Sequence, residues 1–169
     1  MKIRSMTIED ASKVAAIHTR SWQKAYQGIV AQNFLDQINI DDRKRNWIDG
    51  FHLNPGLIRL VLEDKNMVQA FLCGLGNREK KLLPDCDCEL WAIYCDPDSM
   101  KKGYGKALLD SYKEMMKYRS HQKMSVWTLK ENMSARNFYE RNGGVISHKQ
   151  KLIEIGGKKL EEVAYIFNL

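Results

Sequence analysis

Several things are scarce in this chain of 169 residues. It has three prolines and four cysteines, and no apolar stretch approaches the roughly 18 residues that cross a bilayer. The opening segment MKIRSMTIED is charged almost at once, so it does not read as a secretory leader, and a cytoplasmic location is expected. Cys73, Cys86, Cys88 and Cys95 lack a secretory context and predict reduced thiols. Cys86 and Cys88 have the spacing of half a metal site. No second cluster completes it, because His18, His52, His121 and His148 are scattered, and no metal is expected. Repeats, low-complexity tracts and linkers are absent, which predicts one domain over residues 1–169. A net charge of +6 admits a nucleic acid, an acidic membrane surface or a polyanionic small molecule. The basic residues are dispersed, without an arginine-rich arm, zinc-finger spacing or an RNA-binding aromatic signature, so neither nucleic acid nor membrane is the expected partner.

What is present is a clear alternation of periodicities. Lys2 to Ser5 predicts a short strand, and Thr7 with Asp10 predicts a capping box that opens a helix. In that helix Ala11, Val14, Ala15, His18, Trp22, Ala25 and Tyr26 form a mostly apolar face that ends near Gly28. A second helical region covers Ala31 to Phe51 with a break near Ile40, and Asn54-Pro55-Gly56 stops it. Leu57 to Glu63 and Met67 to Gly76 read as a hairpin, followed by an apolar strand from Glu89 to Cys95. A helix from Tyr104 to Tyr118, a strand from Lys123 to Leu129 and a helix from Asn132 to Arg141 come next. Gly156-Gly157 then joins the two strands of a closing hairpin. The order predicts an α/β fold: a mixed, mostly antiparallel sheet of about seven strands flanked by helices, with Glu89–Cys95 and Lys123–Leu129 as a central parallel pair.

The segment DPDSMKKGYGKALL, Asp96 to Leu109, carries the most chemical information. It fails the P-loop pattern, because Gly105-Lys106 is followed by Ala107 and no glycine lies five residues earlier. It fails the dinucleotide pattern too, since Leu108 stands where a third glycine belongs. What remains is a run of backbone amides turning into a helix N-terminus, with glycines that let an anion approach and Lys101, Lys102 and Lys106 around it.

With its flanks, ELWAIYCDPDSMKKGYGKALL resembles the acyl-CoA-binding motif of the GNAT superfamily of N-acetyltransferases, a strand followed by [QR]-x-x-G-x-[GA] and a helix. NMSARNFYERNGG resembles that family's next motif, N-x-x-A-x-x-F-Y-x-x-x-G. Two positions depart from the pattern. Met100 stands where Gln or Arg is usual, and Gly144 where an aromatic is common, which predicts looser packing beside the last helix. The alternative class, a CoA-binding or regulatory module without turnover, draws its support from Met100, whereas Asn132 and Tyr139 favour an enzyme.

The resemblance implies acetyl-CoA as cosubstrate and direct transfer to a primary amine in a ternary complex. Its diphosphate would rest on the amides of Lys101, Lys102, Gly103, Tyr104, Gly105 and Lys106, and Ile93 and Cys95 would offer backbone groups to the pantetheine arm. The spacing of Leu90, Ile93 and Cys95 is consistent with a bulge near Trp91. Tyr139 is implied as the acid, Glu89 as a candidate base, and Asn132 as a pantetheine ligand or helix cap. Trp22 and Tyr26 are candidate acceptor-binding residues, with Trp47, Asp41, Asp42 and Asp49 nearby. The acceptor itself stays open among small amines, amino acids, antibiotics and protein N-termini, and a homodimer is compatible with the family.

Overall fold

A computed structural model describes residues 1–169. Seven strands form one sheet in the order β1-β2-β3-β4-β5-β7-β6: β1 Lys2–Ser5, β2 Ile58–Asp64, β3 Met67–Gly76, β4 Cys88–Cys95, β5 Lys123–Leu129, β6 Val145–Ile155 and β7 Lys158–Asn168. All neighbours are antiparallel except β4 and β5. The helices are α1 Ala11–Ala25, α2 Gln32–Asp36, α3 Ile40–Leu53, α4 Tyr104–Tyr118 and α5 Met133–Arg141. The predicted break near Ile40 is the gap between α2 and α3, where the Asn39 side chain accepts from the amides of Asp41 and Asp42.

One face of the sheet carries α4 and α5. Tyr104, Leu108, Leu109, Tyr112 and Met116 recur at helical spacing along α4 and are buried against Leu72, Leu90 and Val126. Full burial of each such side chain stabilises the fold by about 1.5–3 kcal/mol relative to exposure. The helix stops where Ser120 takes a left-handed φ of 65° and the His121 amide donates to the Met116 carbonyl. The opposite face carries α1 and α3, with Val14 and Ile17 packed on Val61 and Phe71 and with Trp47, Ile48 and Phe51 beside them.

The bulge expected near Trp91 is present. Cys73 pairs with Ala92 but Gly74 pairs with Leu90, so Trp91 is the extra residue on β4. It explains the parity change: Leu90, Ile93 and Cys95 pack on the α4 side, Ala92 and Tyr94 on the α1 side. The Tyr112 hydroxyl donates to the Glu89 carbonyl at 3.1 Å beside the bulge. Gly74 makes this approach possible, since a Cβ there would lie 2.4 Å from the Tyr112 oxygen and 2.6 Å from that carbonyl.

Looser packing at Gly144 is not what the structure contains. A Cβ at Gly144 would lie 2.8 Å from the fully buried Phe167 ring and 3.0 Å from the Tyr139 carbonyl. Phe167 fills the volume that a larger residue would need, and the end of α5 sits tightly on β7.

Candidate active site

The site forms where the parallel pair comes apart. β4 and β5 are paired at Cys88–Met124, Glu89–Ser125 and Leu90–Val126, and no further. Beyond Leu90 the inner edge of β4 is therefore open. The Asp96 amide donates to Gln69 of β3, so strand alternation turns the groups of Ile93 and Cys95 toward the open edge. Ser21 Oγ donates to the Cys95 carbonyl at 2.9 Å, which leaves the amides of both residues and the Ile93 carbonyl available there.

The loop that follows is set by side chains on the α1 side. Asp96 accepts from the Asp98 amide at 3.1 Å and is held by Arg20 at 3.0 and 3.1 Å. The chain then passes through left-handed positions at Lys101 (φ 65°) and Gly103 (φ 82°) before α4 begins. The first turn closes with the Ala107 amide on the Gly103 carbonyl, and the amides of Met100 to Lys106 donate to no backbone carbonyl. Amides so left at a helix N-terminus have the arrangement of an anion nest, with that of Gly105 facing the Cys95 sulfur. Lys101 and Lys102 are exposed beside it, whereas Lys106 pairs with Asp110 and the buried Tyr104 donates to Asp64 at 2.7 Å. Tyr104 and Lys106 thus contribute amides to the nest while their side chains serve the helix and the core. Gly105 has its own reason: a Cβ would touch the Phe138 ring at 3.4 Å and the Cys95 sulfur at 3.5 Å. Met100 is exposed at the rim.

Tyrosines line the gap between the strands. Tyr139 of α5 is buried against Phe138, Tyr165 and Phe167, and burial together with nearby Tyr26 pushes its pKa up. It stays a proton donor at neutral pH. Tyr26 follows the end of α1, shares a hydrogen bond of 3.2 Å with Tyr94 of β4, and lies beside the Asn132 side chain. Asn132 Oδ1 accepts from the Ala135 amide, so this residue caps α5. Trp22 packs edge-on against Tyr26 with centroids 4.7 Å apart. Tyr94 was not singled out from the sequence; only the bulge, which sets its parity, turns it to this side.

The α1 side of the sheet carries the charged groups. Glu89 is fully buried, with Arg78 donating to both carboxylate oxygens through its backbone amide (2.9 Å) and its guanidinium (Nε, 3.0 Å). Glu162 of β7 lies on the same side of the sheet, within electrostatic reach of Glu89, Arg78 and Tyr26. Burial raises its pKa against the opposing pull of Lys151, whose Nζ is 3.4 Å away. Asp41, Asp42 and Asp49 do not reach the site. They are exposed on the outer side of α3, and the inner side presents Arg43 and Trp47. The helical phase decides this, because Arg43, Trp47 and Gly50 fall on one stripe and the three aspartates off it. Sequence spacing from Trp47 could have found Arg43.

An open parallel strand edge, a free amide nest at the next helix and a buried tyrosine facing the gap define an acyltransferase of the acyl-CoA-dependent class. Residues 12–144 match the Acetyltransferase (GNAT) family, and the chain belongs to it. It is an acetyl-CoA-dependent N-acetyltransferase. It is 25% identical over 161 residues to the uncharacterized N-acetyltransferase YuaI of Bacillus subtilis, covering 95% of this chain and 89% of that one. It is 22% identical over 150 residues to a spermidine N(1)-acetyltransferase of Thermoplasma acidophilum, covering 85% and 87%. The crystal structure of the PaiA N-acetyltransferase of Thermoplasma acidophilum in complex with coenzyme A has the same fold, with a TM-score of 0.76 at 18% identity over 99% of this chain and 98% of that one. No helix is long and apolar enough to cross a membrane, and no three His, Cys, Asp or Glu side chains converge as metal ligands.

Proposed function

We propose that this N-acetyltransferase moves an acetyl group from acetyl-CoA to a primary amine by direct attack in a ternary complex. The observation that carries the reading is the free amide nest of Met100 to Lys106 opening beside the unpaired edge of β4. Aligned N–H groups at a helix start hold a diphosphate without a dedicated side chain, and the exposed Lys101 and Lys102 add charge. Met100 in place of a polar residue is therefore compatible with binding. The Ile93 and Cys95 amides and the Ile93 carbonyl offer strand-like bonds to the pantetheine arm, beside Asn132.

Acetyl-CoA supplies the activated acyl group, and a thiol leaves. Tyr139 is the donor we assign to the leaving sulfur: it is buried, keeps its proton at neutral pH and forms no hydrogen bond that would hold its hydroxyl away from the gap. For proton removal from the amine we assign Glu162 ahead of Glu89. Both Glu89 oxygens are occupied by Arg78, so Glu89 fixes that guanidinium in the site wall. Glu162 has its pKa held above the ordinary carboxyl range by burial, which suits a base working near neutrality. Trp22 and Tyr26 form the acceptor side of the gap.

Calorimetric titration of the protein with acetyl-CoA, with adenine dinucleotides as controls, tests the reading. Selective binding on the micromolar scale supports it. Equal binding of the dinucleotides, or none of acetyl-CoA, overturns it.

A further inference from the structure

The cavity between α3 and the bulged part of β4 has a volume of about 460 Å³ and is lined by His18, Arg43, Trp47, Arg59, Arg78 and Trp91. Three guanidiniums meet there. Arg78 is paired with Glu89. Arg59 donates to the carbonyls of Gly50, Asn54 and Leu57 at the end of α3, which tie down its two terminal nitrogens. Arg59 keeps only its Nε unpartnered, whereas Arg43 pairs with no carboxylate and makes no side-chain hydrogen bond, its Nη1 being buried without a partner. Its guanidinium lies over the Trp22 ring, 4.8 Å from the centroid, beside Tyr26 and Tyr94. His18 next to it is neutral, since burial and Arg43 push its pKa down to about 3.

A partly buried guanidinium with no hydrogen-bond partner in the protein is matched by an oxyanion from outside. Its neighbours fix how far that anion is from the chemistry. Tyr26 joins Arg43 to Tyr94 and Tyr139, and Glu162 lies within electrostatic reach of Tyr26. Arg43 and Glu162 thus flank the same Tyr26, so a small acceptor that sets its amine at the gap can bring an anionic group of its own to Arg43.

Resting on the acetyltransfer reading above, we propose that the acceptor is a small primary amine bearing a carboxylate, an amino-acid-like zwitterion whose carboxylate is bound by Arg43. A polycationic amine would meet an uncompensated positive charge at this point, and a protein N-terminus has no carboxylate beside its amine.

The test measures thiol release from acetyl-CoA with a panel of amino acids, their carboxamides and methyl esters, and linear polyamines. The wild-type enzyme should use its best carboxylate-bearing amine with kcat/KM at least about tenfold above the matching amide, the worth of one charged hydrogen-bonded contact. Arg43→Met should raise KM for that substrate roughly 10- to 100-fold, erase the preference over the amide and leave acetyl-CoA binding unchanged. Arg43→Lys should restore part of the preference. Without ligands, Arg43→Met should melt no lower than the wild type, because it removes an unpaired buried charge; a residue kept for structure would lower the melting point. Equal or better use of amides or polyamines overturns this inference alone, as does the absence of turnover with every carboxylate-bearing amine while acetyl-CoA binds. Failure of acetyl-CoA to bind overturns the acetyltransfer reading beneath it.

Discussion

On one side of the β4–β5 gap the proposed acyl-donor site is made of backbone: amides from Met100 to Lys106 that bond no carbonyl, the open edge at Ile93 and Cys95, and two glycines with different duties. Gly103 supplies a left-handed φ, while Gly105 admits Phe138 and the Cys95 sulfur. On the other side the proposed acceptor site is made of side chains brought from far apart, Arg43 of α3, Tyr94 of β4 and Glu162 of β7. A backbone site depends on local conformation and tolerates side-chain exchange such as Met100. A side-chain site can be retuned by single substitutions without disturbing its neighbour. The two halves should therefore fail separately.

The largest expected effect lies where the halves meet. Tyr139→Phe removes the proton donor and keeps the ring that packs on Phe138 and Phe167. The turnover number should fall by about 10²–10⁴-fold with acetyl-CoA affinity unchanged by calorimetry. An unchanged turnover number would remove Tyr139 from the chemistry.

Next in size is the pair of carboxyls on the acceptor side. Glu162→Gln should lower the turnover number by about 10²-fold, whereas Glu89→Gln, which loses one of the two oxygens that accept from Arg78 but removes no proton acceptor from the reaction, should cost less turnover and some stability. The sign of the pH dependence follows from burial. A base must be deprotonated to act, so activity is gained as pH rises through the pKa of Glu162, and this limb should lie above the ordinary carboxyl range. Glu162→Gln should abolish the limb. If Glu89→Gln instead abolishes it, the base role returns to Glu89.

The bulge separates the two halves, and Gly74→Ala should break it. The added Cβ meets the Tyr112 oxygen and the Glu89 carbonyl at distances no real contact sustains, so either Tyr112 or β4 must move. A loss of about 2–3 kcal/mol is expected in urea unfolding, with both acetyl-CoA affinity and turnover reduced. An alanine variant as stable as the wild type would mean that the bulge is not held by the Tyr112 bond.

The same division explains what could be read from the sequence. Conformation written in local residue patterns was legible: the bounds of β3, α4 and β5, the capping box at Thr7 and Asp10, the glycine turn at Gly103 into α4, and the bulge from the spacing of Leu90, Ile93 and Cys95. Convergence across the chain was not. Asp41, Asp42 and Asp49 fall beside the acceptor candidates in sequence, yet helical phase turns them to solvent and Arg43 inward. Glu162 follows Glu161 in β7, and the two look alike until the pairing of Leu129 with Glu162 fixes which faces the site. At Gly144 the missing volume is supplied by Phe167, more than twenty positions away.

The smallest expected effect is also the cleanest separation of the halves. Gly103→Ala places its methyl in open space but forces an L-residue to a φ of 82°, a strain of about 1–2 kcal/mol that acts on the loop alone. The melting point should fall by about 2–8 °C, and acetyl-CoA affinity should weaken as the amides of the nest lose their alignment. The preference for a carboxylate on the acceptor should be untouched, because Arg43 and its neighbours lie across the sheet. Arg43→Met gives the opposite pattern, with donor affinity kept and acceptor preference lost. Were Gly103→Ala to change the acceptor preference as much as the donor affinity, the two sites would be one coupled unit.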